Sequence, residues 1–77
     1  MIRVELREAI EAYQAKHGVK LTYQQIAEQT SLGLATLQSL AARPDYNTRL
    51  STIDKLCGFL GCEPSDLLVY IADENGH

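Results

Sequence analysis

Tryptophan is absent from this 77-residue sequence, and phenylalanine, methionine, proline and cysteine are scarce, with one, one, two and two residues respectively. Two cysteines cannot supply the disulfide framework that stabilises many small secreted domains. The longest apolar run ends at Ala72 and is far shorter than the roughly 20 residues that a transmembrane helix needs. No basic segment followed by an apolar one opens the sequence, so we expect a cytoplasmic protein that does not enter a membrane.

The sequence also lacks the usual signatures of catalysis and metal binding. It contains no glycine-rich phosphate loop, no nucleophile with a neighbouring histidine and no metal-ligand spacing, so we expect neither an enzyme nor a bound cofactor. Cys57 and Cys62 are predicted to be buried thiols at small apolar positions of the core. The alternative, a redox or metal pair, lacks a nearby histidine, because His17 and His77 lie far away in the sequence.

Positive charge is in short supply, since ten acidic residues outnumber seven lysines and arginines and leave a net charge of −3. Residues 20–50 carry three basic and two acidic side chains, or +1, whereas residues 51–77 carry one basic and five acidic side chains, or −4. The basic and acidic side chains of residues 1–19 balance. A polyanionic partner is therefore best accommodated by the middle of the chain, and its electrostatic attraction should be modest.

Residues 21–40 predict two short helices joined by a tight turn, the arrangement of a helix-turn-helix motif. Apolar residues recur at helical spacing in both halves, and Leu32 lies between them, where its side chain can fill the angle between two helix axes. Thr22 and Gln25 have the spacing of a capping box, so the first of these helices should begin at Tyr23. The motif should extend over about residues 22–42.

Three more helices are predicted around this motif, over about residues 3–17, 52–60 and 64–71. Gly33 and Ser51 are the expected N-caps of the second motif helix, residues 34–42, and of the helix at 52–60. Pro64 opens the last helix, and Gly18 and Gly61 close the helices that precede them. The first helix should bury a stripe formed by Ile2, Leu6, Ile10 and Tyr13. Residues 72–77 read as a polar tail, and the whole chain, residues 1–77, reads as a single domain.

The spacing of the motif resembles that of a known family. Ile26-Ala27, Leu32, Leu37 and Leu40 match the lambda-repressor-like, or Cro/C1-type (XRE family), helix-turn-helix domains. The stretches LSTIDKLC at 50–57 and LGCEPSDLL at 60–68 look like their fourth and fifth helices. The resemblance extends over roughly residues 3–71 and implies an all-α, compact five-helix DNA-binding domain. The family usually has glycine at the position of Ser31, which is tolerable if the Ser31 backbone stays right-handed and strained otherwise.

The resemblance implies that double-stranded DNA is the partner and that helix 34–42 enters the major groove. The residues at its outward N-terminal positions would then read the bases: Leu34, Ala35, Thr36, Gln38 and Ser39. Residues around this helix would contact the phosphates: Tyr23, Gln24, Arg43, Asn47, Thr48 and Arg49. This reading face lacks arginine and lysine, so strong guanine recognition is not expected from it.

Five consecutive apolar residues, 67–71, exceed what one face of the last helix can bury. Val69 and Tyr70 should therefore point partly outward, where they could form the interface of a homodimer. The alternative is that Tyr70 folds back over the first helix. The leading interpretation is a sequence-specific DNA-binding transcriptional regulator, a repressor without an effector domain. The second is a protein-interaction module on the same scaffold, an antitoxin-like or anti-repressor subunit whose protein partner docks on Leu34-Ala35 or on the last helix.

Overall fold

The computed structural model describes residues 1–43 and 45–72 and consists mostly of helix. In chain order the elements are β1 (Ile2–Val4), α1 (Leu6–His17), α2 (Tyr23–Thr30), α3 (Leu34–Ala42), α4 (Leu50–Leu60), α5 (Pro64–Leu67) and β2 (Leu68–Tyr70). The five predicted helices are therefore present. A two-stranded antiparallel sheet, β1 with β2, is added to them.

The core lies where the five helices meet. Every helix contributes at least one fully buried leucine or isoleucine, and these side chains are Leu6, Ile26, Leu37, Leu40, Leu56 and Leu67. Full burial of such a side chain is worth about 1.5–3 kcal/mol relative to exposure. Helix α2 packs on both α3 and α4, so the core fixes the orientation of the helix-turn-helix motif relative to the rest of the chain.

The predicted start of the first helix is wrong. Residues 2–4 form strand β1, and α1 begins only at Leu6. Ile2, expected in the buried stripe, is 60% exposed, whereas Leu6 and Ile10 are buried as predicted. The reason is a partner distant in sequence: strand β2 lies alongside β1, and the Glu5 N–H donates to the Leu67 carbonyl at 2.7 Å. Gly18 closes α1 in the left-handed conformation, as predicted (φ 63°).

The predicted last helix, 64–71, is also too long. Helix α5 ends after four residues, and Leu68–Tyr70 pair with β1 in the register Ile2↔Tyr70, Arg3↔Val69 and Val4↔Leu68. Valine, isoleucine and tyrosine favour extended backbone, and both segments are rich in them. Alternation along the strands directs Val4 and Leu68 toward the core. Ile71, expected to be inward, is 41% exposed.

Helix α4 begins two residues earlier than predicted. Arg49, with extended backbone, is its N-cap, so Ser51 lies inside the first turn and is not the cap. The predicted closure by Gly61 in the left-handed conformation (φ 65°) and the predicted opening of α5 by Pro64 are confirmed. The Glu63 N–H also donates to the Asp66 carboxylate at 3.0 Å, which stabilises the short helix. Of the predicted tail, residues 73–77 lie outside the described residues.

Cys57 and Cys62 are half-buried free thiols packed against the core, rather than the fully buried thiols expected. The Cys62 N–H donates to the Cys57 carbonyl at 3.1 Å across the end of α4. Removal from water, followed by the neighbouring Cys57, raises the pKa of Cys62 from 9.0 to about 11. A thiol that stays protonated at neutral pH is a poor metal ligand and a poor nucleophile.

Candidate nucleic-acid interface

The start of α2 has the predicted capping box. The Gln25 N–H donates to Thr22 Oγ1 at 3.1 Å, and the Thr22 N–H donates to Gln25 Oε1 at 2.9 Å. Helix α2 accordingly begins at Tyr23, as predicted. Tyr23 is half-buried against the core, whereas Gln24 is exposed. Of these two predicted phosphate contacts, Gln24 therefore has the more accessible side chain.

The turn between α2 and α3 is held by a threonine hydroxyl and a left-handed serine. The buried Thr30 hydroxyl donates to the Ile26 carbonyl at 2.6 Å and accepts from the Leu32 N–H at 3.3 Å. Ser31 has φ 62° and ψ 21°, so its backbone is left-handed and carries the strain that glycine would avoid. Leu32 packs against the core between the two helices, as predicted.

Helix α3 has one buried and one outward face. Leu37, Leu40 and Ala41 are buried. The five predicted base-reading residues lie on the remaining surface, where three are exposed and two are half-buried: Leu34, Ala35 and Gln38, then Thr36 and Ser39. Helical spacing places Ala35, Gln38 and Ser39 on the side away from these buried residues. Leu34 and Thr36 lie three and four residues before Leu37 and Leu40, so they border the buried face. All five predicted residues therefore lie on α3, but they do not all share one face of it.

The predicted phosphate-binding loop follows α3. The Arg43 guanidinium lies 5.6 Å from the centre of the Tyr46 ring, and the Tyr46 N–H donates to the Arg43 carbonyl at 2.8 Å. These contacts link the exposed arginine to a half-buried aromatic ring at the edge of the core. Asn47 and Arg49 are exposed, and Thr48 is half-buried. Pro44, predicted to end α3, lies outside the described residues, but α3 does end at Ala42.

Two helix N-termini in this region have no capping side chain. Gly33 is the N-cap of α3 and provides none, and the Arg49 side chain makes no capping bond within the described part of α4. The first N–H groups of a helix lack intrahelical partners and carry partial positive charge, so they favour an anion. The role of Arg49 as N-cap was missed from the sequence because Ser51 is the better-known capping residue type.

The predicted dimer residues lie on the sheet. Val69 and Tyr70 are 39% and 67% exposed on β2, which agrees with the expected outward orientation and excludes a Tyr70 side chain buried over α1. Sequence reasoning missed Leu50, which is 81% exposed at the first position of α4. An exposed leucine at a helix start has no sequence signal that separates it from a buried one.

Other kinds of site have little support in the described residues. No group of three or more histidine, cysteine, aspartate or glutamate side chains within residues 1–43 and 45–72 could hold a metal ion. In the same part of the chain, every helix is too short or too polar to cross a membrane.

Comparisons with known proteins agree with this geometry. A family model described as the Cro/C1-type helix-turn-helix DNA-binding domain matches residues 10–73. A curated relative, the uncharacterized HTH-type transcriptional regulator YozG of Bacillus subtilis (strain 168), is 32% identical over 56 residues, which are 73% of this chain and 67% of that protein. No solved structure matches the chain.

Proposed function

The chain belongs to the Cro/C1-type helix-turn-helix DNA-binding domain family and is a DNA-binding regulator; we propose that it is a repressor that reads double-stranded DNA with helix α3. The observation that carries the proposal is the outward surface of α3, which has exposed apolar and polar side chains directly after an N-terminus without a capping side chain. The proposal includes no catalytic activity and no cofactor, and it assigns the protein to the cytoplasm.

Base recognition in this proposal depends on few groups. Gln38 is exposed and could form a paired hydrogen bond to adenine, and Thr36 and Ser39 could bond either a base or a phosphate. Leu34 and Ala35 could pack on thymine methyl groups. Such a face favours A·T-containing half-sites. Since each good bidentate contact gives about 1–3 kcal/mol of discrimination, one subunit has limited specificity, and DNA shape should supply part of it.

Phosphate contacts would position α3 in the groove. Arg43 and Arg49 supply charge on either side of the loop, and Asn47 and Thr48 supply neutral donors between them. Gln24 and Tyr23 would contact the backbone from the start of α2. The +1 charge of residues 20–50 supports a weak but favourable attraction that would be sensitive to salt.

A homodimer would compensate for the small number of base-contacting side chains on α3 of one subunit. Two copies related by a two-fold axis would read a palindrome and double both the base and the phosphate contacts. The exposed Val69 and Tyr70 side chains on β2 support the sheet as part of the interface. A bound dimer would repress by occupying a promoter, which requires no further domain.

The test is selection of bound sequences from random duplex DNA at low and at moderate salt. We expect enrichment of a palindrome, with affinity that falls as salt is raised. Gln38→Ala should lower affinity for the selected site by about tenfold or more and relax preference at a single position of each half-site. Gln29→Ala is the matched control, because Gln29 is exposed near the far end of α2 from Tyr23. Equal losses in both variants would contradict base reading by Gln38.

A second candidate function is supported by Leu34, an apolar side chain that is 39% exposed at the first position of α3. On this alternative the protein is an antitoxin-like or anti-repressor subunit, and a protein partner covers the Leu34-Ala35 surface. Weak phosphate contacts are strongest at low salt. An absence of DNA binding under those conditions would therefore favour the protein-interaction module over the repressor.

A further inference from the structure

The end of α4 brings the two cysteines of the chain together. Gly61 ends the helix in the left-handed conformation, and the N–H groups of Gly61 and Cys62 both donate to the Cys57 carbonyl. A hydrogen bond from the second residue beyond a helix to the residue five positions before it is typical of the Schellman motif. In that motif the side chains at these two positions frequently touch. Both positions carry a thiol here, so the two thiols lie side by side.

The same hydrogen bond limits the distance between the two cysteines. The Cys62 nitrogen lies 3.1 Å from the Cys57 carbonyl oxygen. With standard bond lengths on either side of this hydrogen bond, the two Cα atoms are at most about 7 Å apart. Disulfides join residues whose Cα atoms are usually about 4.4–6.8 Å apart. The backbone therefore holds the pair at or near the separation that a disulfide requires.

The two side chains also share their surroundings. Cys57 and Cys62 are both half-buried and both pack against the core. Burial is the largest cause of the raised pKa of Cys62, and Cys57 is near enough to be the next. Cys62 also lines a recess of about 360 Å³, whose other walls include Tyr13, Lys16 and Gly61. The thiols are thus packed together and still open to a small molecule.

We propose that Cys57 and Cys62 form a reversible oxidation site, which a small disulfide compound such as glutathione disulfide converts to an intramolecular disulfide. A thiol that is oxidised alone proceeds through sulfenic acid to sulfinic and sulfonic acids, which are essentially irreversible. A neighbouring thiol diverts this course to a disulfide, which other thiols reduce again. The pair accepts oxidation without permanent damage and without linking two chains.

Two exchange steps form the bond. Cys57 attacks first, because the pKa of Cys62 is about 11 and its thiol stays protonated at neutral pH. The Cys57 thiolate bonds to one sulfur of the disulfide compound, whose sulfur–sulfur bond breaks and releases one thiolate. Cys62 then gives its proton to solvent, and its sulfur attacks the Cys57 sulfur and releases the second thiolate. The protein loses two protons and two electrons, and the disulfide compound gains them as two thiols.

The high pKa of Cys62 does not block the second step. Burial is the main cause of that pKa, and the charge of Cys57 is the next. Once Cys57 is part of a mixed disulfide it bears no charge, so this second cause is removed. A thiolate of high pKa is also the stronger nucleophile. The attack is intramolecular between packed groups, and its high effective concentration offsets the small fraction of thiolate.

The test is redox equilibrium of the full chain with reduced and oxidised glutathione, in buffer and in urea. Alkylation of free thiols and mass spectrometry give the oxidised fraction, and from it the effective concentration of the pair. Because the chain has two cysteines, a monomer that has lost two hydrogen atoms and both free thiols carries the bond between Cys57 and Cys62. The effective concentration should be about tenfold or more higher in the native chain than in urea, because the fold holds the thiols together.

A shifted pair of thiols is the matched control. Cys57→Ala combined with Gly58→Cys keeps two thiols but moves one of them to the adjacent position of α4. Gly58 is exposed, and a Cβ there meets nothing within 4 Å, so the new thiol is accommodated away from Cys62. In urea the shifted pair should match wild type within about twofold, because the loops are nearly equal in length. In the native chain its effective concentration should be about tenfold or more below that of wild type.

Three results would overturn the proposal. The first is a native effective concentration no higher than that in urea, because the fold would then oppose the bond. The second is a shifted pair that equals wild type in the native chain, and the third is oxidation that yields chains linked as dimers.

Melting temperature gives an independent measurement. The oxidised monomer should melt about 5 °C or more above the reduced chain, because a bond that forms more readily in the native state stabilises that state. An unchanged or lower melting temperature would contradict the proposal. These measurements use no DNA, so their outcome is independent of whether the protein is a repressor.

Discussion

At the scale of single residues, Ser31 shows how far local sequence reasoning reaches. Thr22 and Gln25 could be recognised from the sequence because a capping box depends only on residues three positions apart. The left-handed backbone of Ser31 could not, because a serine accepts it only when the packing of α2 against α3 imposes it. Thr30, whose hydroxyl bonds both sides of the turn, is part of what holds that conformation.

Replacing Ser31 with glycine should stabilise the protein. The left-handed conformation costs a residue with a Cβ about 1–2 kcal/mol, and the greater freedom of glycine in the unfolded chain returns part of the gain. The free energy of unfolding should therefore rise by about 0.5–1 kcal/mol, measured as a higher urea midpoint with an unchanged slope. Ser31→Ala is the control, since it retains the Cβ. A similar gain in both variants would mean that backbone strain is not the cause.

The Cys62 thiol should make stability depend on alkaline pH. Its pKa is about 11 in the folded chain against 9.0 for an ordinary thiol, chiefly because burial removes it from water. Below pH 9 both states hold the proton and the shift has no effect. As pH rises from about 9 toward 11 the unfolded thiol ionises first, so the free energy of unfolding falls.

Urea unfolding of wild type and Cys62→Ser at about pH 7.5 and about pH 10 isolates this contribution. Because the two proteins differ only at position 62, the difference between their losses of stability reports Cys62. Wild type should lose more stability than the variant between the two pH values. Parallel losses would show that the thiol has an ordinary pKa.

At the scale of secondary structure, the sequence predicted the helices whose signals are local and missed the sheet, whose signal is not. The boundaries of α2 and α3 agree with the caps at Thr22 and Gly33. The strand at residues 68–70 pairs with residues 2–4, near the opposite end of the chain. Apolar residues at 67–71 are consistent with a helix or a strand, and only the presence of β1 decides between them.

The start of α3 offers the sharpest test of the interface, because stability and binding should change in opposite directions there. Gly33 has φ −68°, which any residue can adopt, and a Cβ at Gly33 would meet Thr36 Oγ1 at 3.5 Å, an ordinary contact. Gly33→Asp and Gly33→Ser should both cap α3 and stabilise the protein by a few tenths of a kcal/mol. If this N-terminus faces DNA, the aspartate should weaken DNA binding by about tenfold or more, because the DNA phosphates would repel its carboxylate.

The serine variant is the matched control for Gly33→Asp. It adds a cap without adding charge, so its DNA affinity should stay near that of wild type. Thermal denaturation and fluorescence-anisotropy titration on the selected site give the two quantities. Undiminished affinity of Gly33→Asp would place the start of α3 away from the DNA and contradict the assignment of α3 as the reading helix.

At the scale of the whole molecule, charge distribution decides how the protein approaches DNA. The chain is acidic overall, yet residues 20–50, which contain every predicted DNA contact, carry +1. The C-terminal part, at −4 over residues 51–77, would be repelled from DNA and so favours an orientation with the motif toward the duplex. This asymmetry could be predicted from the sequence because it depends on composition alone. Which arginines lie at helix termini depended on the fold, as the N-cap position of Arg49 shows.

Arg49→Gln should lower the salt dependence of DNA binding. Arg49 is exposed, and its carbonyl, which the substitution leaves in place, accepts hydrogen bonds from the Thr52 and Ile53 N–H groups at 3.0 and 3.3 Å. Loss of one phosphate contact per subunit should reduce the slope of log K against log salt by about 0.9 per subunit, or about twice that in a dimer. Affinity should fall on all sequences alike, because a phosphate contact does not read bases.

Lys16→Gln separates a local contact from a change in overall charge. Lys16 is exposed in the last turn of α1, outside the predicted interface, and its substitution alters the net charge of the chain by the same amount. Interactions between exposed charges are largely screened beyond about 8–10 Å at moderate salt. An arginine that touches a phosphate must therefore change the slope more than a lysine on α1. Equal slopes in the two variants would mean that Arg49 acts only through net charge, and the loop after α3 would then have to lie away from the DNA backbone.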